Sequence, residues 1–305
     1  MRNHIRVGTR GSKLALAQAE LVVTILSKTC EGIRYEIVPI RTSGDKARES
    51  GSSTIRDKSI FTKEIEDALL AREVDLAVHS MKDLTTEQPK GLMIGAVPPR
   101  ENPRDVLVSR KKEKLQALPG GARIGTSSNR RIAQLLAARN DLEIVDMHGN
   151  VDTRLRKLER GDCDAIVVAA AGLIRLGLAK HATEFLSTEI MLPAVGQGAL
   201  AVECRKTDPE IQEMLVKVDD RQTRSAVEAE RAFARRLGAN CRTPIAAYAK
   251  TDLQNVTIDG MVAATSGRIL VRGRLTRSAG DSEKVGVELA ESLLNKGAGA
   301  ILEAG

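Results

Sequence analysis

The chain has 305 residues, 42% of them apolar but only 2% aromatic and none tryptophan, which suggests two or three domains with aliphatic cores. Its formal charge of +7 points to an anionic partner. With few aromatic stacking platforms and no run of five or more Lys/Arg, nucleic acid is a poor candidate and a small polyanion a better one. No apolar run approaches the roughly 20 residues that span a bilayer. The opening Met1-Arg2-Asn3-His4 leads straight into a strand-like segment, so no membrane partner and a cytoplasmic location are expected.

Ile5 to Gly8 reads as a buried strand. After the turn Thr9-Arg10-Gly11-Ser12, Leu14, Ala17, Leu21 and Ile25 share one helical face. Tyr35 to Ile40 is a second strand, Phe61 to Ala71 a helix and Asp75 to His79 a third strand. This βαβ rhythm predicts a mostly parallel sheet. Pro98-Pro99-Arg100-Glu101-Asn102-Pro103 breaks it and reads as a linker. A second α/β unit follows. A strand ends at Ile124-Gly125, Ser127 or Ser128 is placed to cap a helix over Arg130 to Ala138, and a strand, a helix and a buried strand follow at Glu143–Asp146, Val151–Arg160 and Ala165–Ala170. Pro193 to Gly198 is a second break, with a strand from Leu200 to Glu203. Two linkers between two α/β units suggest a chain that crosses over and back, by analogy with hinged two-lobed binding folds. A charged helix from Arg221 to Arg236, strands at Thr257–Ala263 and Ile269–Leu275 and a helix from Val285 to Asn295 make a small α+β C-terminal domain.

Arg10, Arg130, Arg131 and Arg154 sit where strands hand over to helices. Free N–H groups at a helix start, joined by a guanidinium fork, suit carboxylate or phosphate. Any one of them reads equally well as a solvated helix end; four at equivalent positions favour an anion site. His79-Ser80-Met81-Lys82-Asp83 follows a strand, and strand carboxyl ends are where α/β sheets hold ligands. By pattern alone Asp83 is more readily an N-cap or half of a surface pair, and His79 a satisfied, partly buried histidine. Cys30, Cys163, Cys204 and Cys241 are far apart and form no Cys-x-x-Cys. That argues against a metal site and for free thiols in a reducing compartment. Cys241, in a loop beside Arg242, is placed to be nucleophilic; Cys163 and Cys204 fit inert core positions better.

Six segments resemble the motifs of the porphobilinogen deaminase (hydroxymethylbilane synthase) family, in that family's order and spacing across nearly the whole chain. They are Thr9 to Ala15, His79 to Asp83, Gly125 to Arg131, Gly149 to Leu155, Leu192 to Gly198 and the loop around Cys241. The resemblance implies an α/β fold of two periplasmic-binding-protein-like lobes with hinge crossovers (1–98 with 199–217, and 104–192) and a small α+β domain over 221–305. It implies condensation of four porphobilinogen molecules to hydroxymethylbilane, with loss of four ammonia molecules, on a dipyrromethane cofactor joined to Cys241 as a thioether. It implies that Asp83 is catalytic and stabilises the electron-poor azafulvene left when ammonia departs. Lys82, Thr126, Ser128, Arg130 and Arg131 would hold the cofactor, and Arg10, Ser12, His148, Arg154 and Arg175 the substrate carboxylates. A monomer is expected. The chain departs from the family pattern at His148 (usually arginine), Asn129 (leucine), Asn240 (glycine), the residues flanking Lys58 (glycines) and Leu84-Thr85 (Val-Pro). These departures bear on carboxylate binding and on a lid expected over Arg41 to Phe61. The rival reading is a two-lobed carboxylate-binding protein without catalysis.

Overall fold

The computed structural model describes residues 2–45, 59–238, 244–252 and 254–304. The chain divides into two compact units, residues 1–101 with 199–224, and residues 102–198 with 225–305. The chain passes from one unit to the other at 101/102 and 198/199, inside the two proline-marked breaks, and again at 224/225.

The first unit is built on a five-stranded sheet in the order β2-β1-β3-β10-β4. Its strands are β1 (His4–Arg10), β2 (Arg34–Ile40), β3 (Leu76–Ser80), β4 (Leu92–Ala96) and β10 (Leu200–Arg205). On one face α1 (Lys13–Thr29) lays Ala15, Ala19, Val22 and Leu26 toward Ile5, Val7, Leu76 and Val78. The inward face is therefore one residue on from the expected Leu14–Ala17–Leu21–Ile25 stripe, and Leu21 is 41% exposed. The helix is apolar around most of its circumference, so periodicity did not single out a face. The alanine side allows the closer approach to the sheet, and close packing decides. On the other face lies α2 (Lys63–Leu70), packed through Ile65, Ala68 and Leu69.

The second unit repeats the plan in the order β7-β6-β8-β5-β9, with β5 (Asp105–Ser109), β6 (Arg123–Gly125), β7 (Glu143–Val145), β8 (Ala165–Ala169) and β9 (Glu184–Phe185). Its helices are α3 (Asn129–Ala138), α4 (Val151–Glu159) and α5 (Ala170–Arg175). In each sheet four of the five strands run in one direction, as the βαβ rhythm predicts, and one is reversed. β1 pairs in parallel with β2 and β3, and β6 with β7 and β8, but β10 runs antiparallel to β3 and β4, and β5 antiparallel to β8 and β9. The reversed strand in each sheet is the one that follows a break. It enters without a helical crossover, and a parallel pairing needs such a crossover.

The second unit also carries a three-stranded antiparallel sheet of β11 (Ile245–Thr251), β12 (Asn255–Ala263) and β13 (Leu270–Ser278). It is covered by α7 (Arg221–Arg236), which follows α6 (Pro209–Val216) of the first unit, and by α8 (Ser282–Leu293). Fully buried Glu230 of α7 accepts from the backbone N–H of Gly196 at 2.7 Å and of Ala249 at 2.8 Å. One carboxylate thus ties the second break to this sheet.

Helices α7 and α8 approach closely at Gly286. A Cβ there would stand 2.1 Å from the Ala229 carbonyl oxygen and 2.9 Å from the Phe233 nitrogen. Alanine normally gains about 1 kcal/mol over glycine inside a helix. Here the obstacle is backbone, which cannot swing aside, and overpacking costs about 1–3 kcal/mol. Gly286→Ala should therefore lower the melting temperature by several degrees, whereas Gly280→Ala, where nothing lies within 4 Å, should not; calorimetry of both variants checks this.

Candidate active site

The carboxyl edge of the first sheet gathers Arg10, Ser12, Lys82 and Asp83. β1 and β3 are parallel neighbours, so both end at this edge. Ser12 is the N-cap of α1 and accepts from the Ala15 N–H at 3.2 Å. Arg10 donates from Nε and Nη2 to the Asp45 carboxylate, and its guanidinium lies 4.4 Å from the centroid of the Phe61 ring. Burial raises the Asp45 carboxyl, but hydrogen bonds from Arg10 and Thr42 and the charge of Arg10 outweigh it and hold the pKa below the ordinary value. β3 ends in a tight turn, Met81–Asp83. Met81 is buried and its N–H donates to the Ala199 carbonyl at 3.0 Å. Lys82 and Asp83 are half-buried. Among the described residues the Asp83 carboxylate has no hydrogen-bond or ion-pair partner. It is neither a helix cap nor half of a salt bridge, as its pattern alone suggested.

The carboxyl edge of the second sheet carries the other set. Thr126 is fully buried and accepts from the Ser128 N–H at 3.3 Å. Ser128 begins α3 without a side-chain capping bond, and Ser127 instead accepts from the Met147 N–H at 3.1 Å. Arg130 and Arg131, in the first turn of α3, are not solvated helix ends; each is 7% exposed. Both converge on Asp105 at the start of β5. Arg130 Nη1 donates to Oδ2 at 2.7 Å, and Arg131 Nη2 and Nε donate to Oδ1 at 2.7 and 3.1 Å. The Leu192 and Val167 carbonyls and Gln197 complete the cluster. Two guanidiniums share one carboxylate, which leaves one positive charge in a buried site.

At the same edge, the turn before α4 needs Gly149, whose φ is +118° and whose Cβ would meet Thr153 at 2.9 Å. Arg154 Nε donates to the Gly149 carbonyl at 2.9 Å, and Arg175, in the last turn of α5, donates to the Gly198 carbonyl at 2.7 Å. His148 is exposed, with Nε2 2.9 Å from Asp146. Cys241, Asn240, Lys58 and most of the expected lid lie outside the described residues. Cys30, Cys163 and Cys204 are buried, and burial pushes the Cys204 thiol up to about 11 and raises that of Cys163. Asp105, Asp45 and Phe61 escaped the sequence reading; an acid opening the apolar run Val106-Leu107-Val108 was the available sign of Asp105.

Burial alone would raise the Asp105 carboxyl, but the charges and hydrogen bonds of Arg130 and Arg131 bring it down to about 2. Burial and Arg131 lower the Arg130 guanidinium, with Asp105 opposing them. Since folding favours the ionised Asp105, the unfolded chain binds more protons in acid. The contribution is complete above the ordinary carboxyl value of 3.8 and is lost as pH falls toward about 2. Two pKa units correspond to roughly 2–3 kcal/mol. Asp105→Asn should lose about 3–5 kcal/mol at neutral pH, because it strands two buried cations. It should also flatten the stability profile between about pH 4 and 2. Denaturant titrations across that range read both effects.

A family model described as "Porphobilinogen deaminase, dipyromethane cofactor binding domain" matches residues 5–213, and one described as "Porphobilinogen deaminase, C-terminal domain" matches residues 225–295. A porphobilinogen deaminase of Pelotomaculum thermopropionicum is 50% identical over 303 residues, 99% of this chain and 97% of that one. Another, of Syntrophotalea carbinolica, is 49% identical over 300 residues, 98% of this chain and 95% of that one. Among solved structures, a nutrient-binding protein from Burkholderia cenocepacia bound to methionine matches at 16% identity and a TM-score of 0.44, covering 70% of this chain and 90% of that one. No helix among the described residues is long and apolar enough to cross a membrane. The chain belongs to the porphobilinogen deaminase family.

Proposed function

We infer that the chain joins four porphobilinogen molecules head to tail on a dipyrromethane cofactor, releasing four ammonia molecules, and that one water then cleaves the product from the cofactor and supplies the hydroxyl of hydroxymethylbilane, as a step of tetrapyrrole biosynthesis. The observation that supports the division of roles is the contrast between the two strand edges. One presents a carboxylate with no partner among the described residues; the other buries two guanidiniums against a single carboxylate. The rival reading, a binding protein without catalysis, is not favoured, because the similarity is of full length and Asp83 and Cys241 are both present.

The residues at the second edge suit the dipyrromethane, because each of its pyrroles carries carboxylates and the Asp105 cluster retains an uncompensated positive charge. We assign Cys241, in the domain over 221–305, as the covalent anchor, and Lys82, Thr126, Ser128, Arg130 and Arg131 as the residues that hold the group. When bound, it supplies the pyrrole carbon on which the product chain starts. Arg10, Ser12, His148, Arg154 and Arg175 receive the substrate's acetate and propionate groups, guanidinium forks pairing them bidentately. Asp83 is the catalytic residue. Loss of ammonia leaves positive charge spread onto the substrate's ring N–H, and a fixed carboxylate there stabilises it. The same oxygen accepts the ring proton after the new carbon–carbon bond forms. The protein acts as a cytoplasmic monomer on a small-molecule substrate, with no nucleic-acid partner.

Asp83→Asn keeps the shape and removes the charge. It should fold as the parent does but lose about 100–1000-fold in turnover, the ~2.7–4 kcal/mol that one such electrostatic contact contributes. Steady-state kinetics decides, and a loss below about tenfold removes Asp83 from this role.

A further inference from the structure

Beneath the Lys82–Asp83 turn lies a second group of ionisable side chains that the reaction as described does not use. His79 of β3 is 5% exposed, Glu203 of β10 fully buried and Glu66 of α2 7% exposed. His79 and Glu203 are diagonal neighbours on the α2 side of the sheet, since His79 is paired with Ala201 and Glu203 with Ala77. His79 Nε2 stands 3.4 Å from Glu203 Oε2, in an orientation that makes no hydrogen bond. Neither oxygen of Glu203 finds a hydrogen-bond partner among the described residues, nor does Oε1 of Glu66. Burial raises the Glu66 carboxyl, the charge of Glu203 raises it further, and Thr62 and His79 only partly oppose them.

Among the described residues, the arginines of the neighbouring strands are committed elsewhere. On β1, Arg10 pairs with Asp45 and Arg6 with Asp75. On β10, Arg205 pairs with Asp208 and Asp75 and donates to the Leu69 and Val74 carbonyls. Asp67, on α2, adds only negative charge. Among the described residues two buried glutamates thus meet one histidine, and ionising both would leave an uncompensated charge in the interior. Among the described residues no group of three or more His, Cys, Asp and Glu is arranged to hold a metal ion, so protons are the remaining way to balance the site.

We propose that His79, Glu203 and Glu66 form one buried proton-sharing unit that fixes the end of β3 and thereby positions Lys82 and Asp83. The end of β3 is held on both faces. Ser80 is hydrogen-bonded to Gln18 of α1 at 2.9 Å on one side, and His79 meets Glu203 on the other. Met81 is tied to Ala199 beyond them. Asp83, without a partner among the described residues, stands on a turn whose root is held by these contacts. The unit shares at least one proton between its two glutamates at neutral pH, and the contact between Glu203 and His79 holds the histidine in place. These are positioning residues, and the proposal rests on the catalytic reading of Asp83.

Infrared spectra of the folded holoenzyme at neutral pH should show the C=O stretch of a protonated carboxylic acid, which Glu66→Gln removes. Glu203→Gln, which copies the protonated side chain, should lower kcat about tenfold and leave KM within about twofold. The parent should converge on the mutant's rate as pH falls, because only the parent's unit can take up a further proton at this position, so the acid limb of the kcat profile is flatter in the mutant. A merely structural role would instead give parallel profiles. Parallel or identical profiles, or no protonated-carboxyl band in the parent, would overturn the proposal. Should Glu203→Gln fail to fold, the band in the parent still decides. A loss of less than tenfold in Asp83→Asn would count against the catalytic reading alone, since the infrared result does not depend on it.

Discussion

The Asp105 carboxylate, lodged between two guanidiniums, sets the electrostatics of the second strand edge. Asp105 has no water to solvate it and is ionised only because Arg130 and Arg131 are there; the two arginines tolerate burial only because Asp105 and backbone carbonyls receive them. The balance is deliberately uneven in sign, one charge of excess cation on the side that a carboxylate-bearing ligand would meet. Moving such a ligand from water to this edge replaces hydration by fixed donors, and little reorganisation remains when it arrives.

The first strand edge follows the opposite logic. There Arg10 is matched by Asp45, and among the described residues the carboxylate without a partner is Asp83. Holding an unpaired carboxylate half out of water is unfavourable in itself, and the fold meets that by over-determining the backbone beneath it. Ser80, His79 and Met81 are each engaged by a different element. A polymerising enzyme needs this separation of tasks. Carboxylates on each new unit must be recognised by cations, while cationic charge generated in the reaction must meet one fixed anion.

Much of this was legible in the sequence. The strand and helix rhythm located most elements to within one or two residues, and Arg221–Arg236 matches the observed helix end for end. Arg10, Lys82–Asp83 and Arg130–Arg131 fall at or just beyond strand carboxyl ends as expected, while the loop around Cys241 lies outside the described residues. What failed was what periodicity cannot encode. Strand direction depends on how the chain enters a sheet, so the reversed β5 and β10 were invisible. The inward face of α1 was decided by the small side chains of Ala15 and Ala19, in a helix apolar on most sides. His79 reads as a satisfied core histidine, yet among the described residues its Nε2 makes no hydrogen bond; its neighbour Glu203 lies more than a hundred residues away, so no local pattern links them. Asp105 looked like an ordinary acid after an arginine, and only the fold brings Arg130 and Arg131 to it.

The account turns on a product chain that grows by discrete steps while tied to the protein. Intact-mass analysis during substrate-limited turnover measures this directly. The parent should show the chain carrying two pyrrole units, and then species with one, two and three further units, all of them lost in Cys241→Ser. Bare chain throughout, with hydroxymethylbilane still being released, would contradict a covalent primer and the stepwise mechanism built on it.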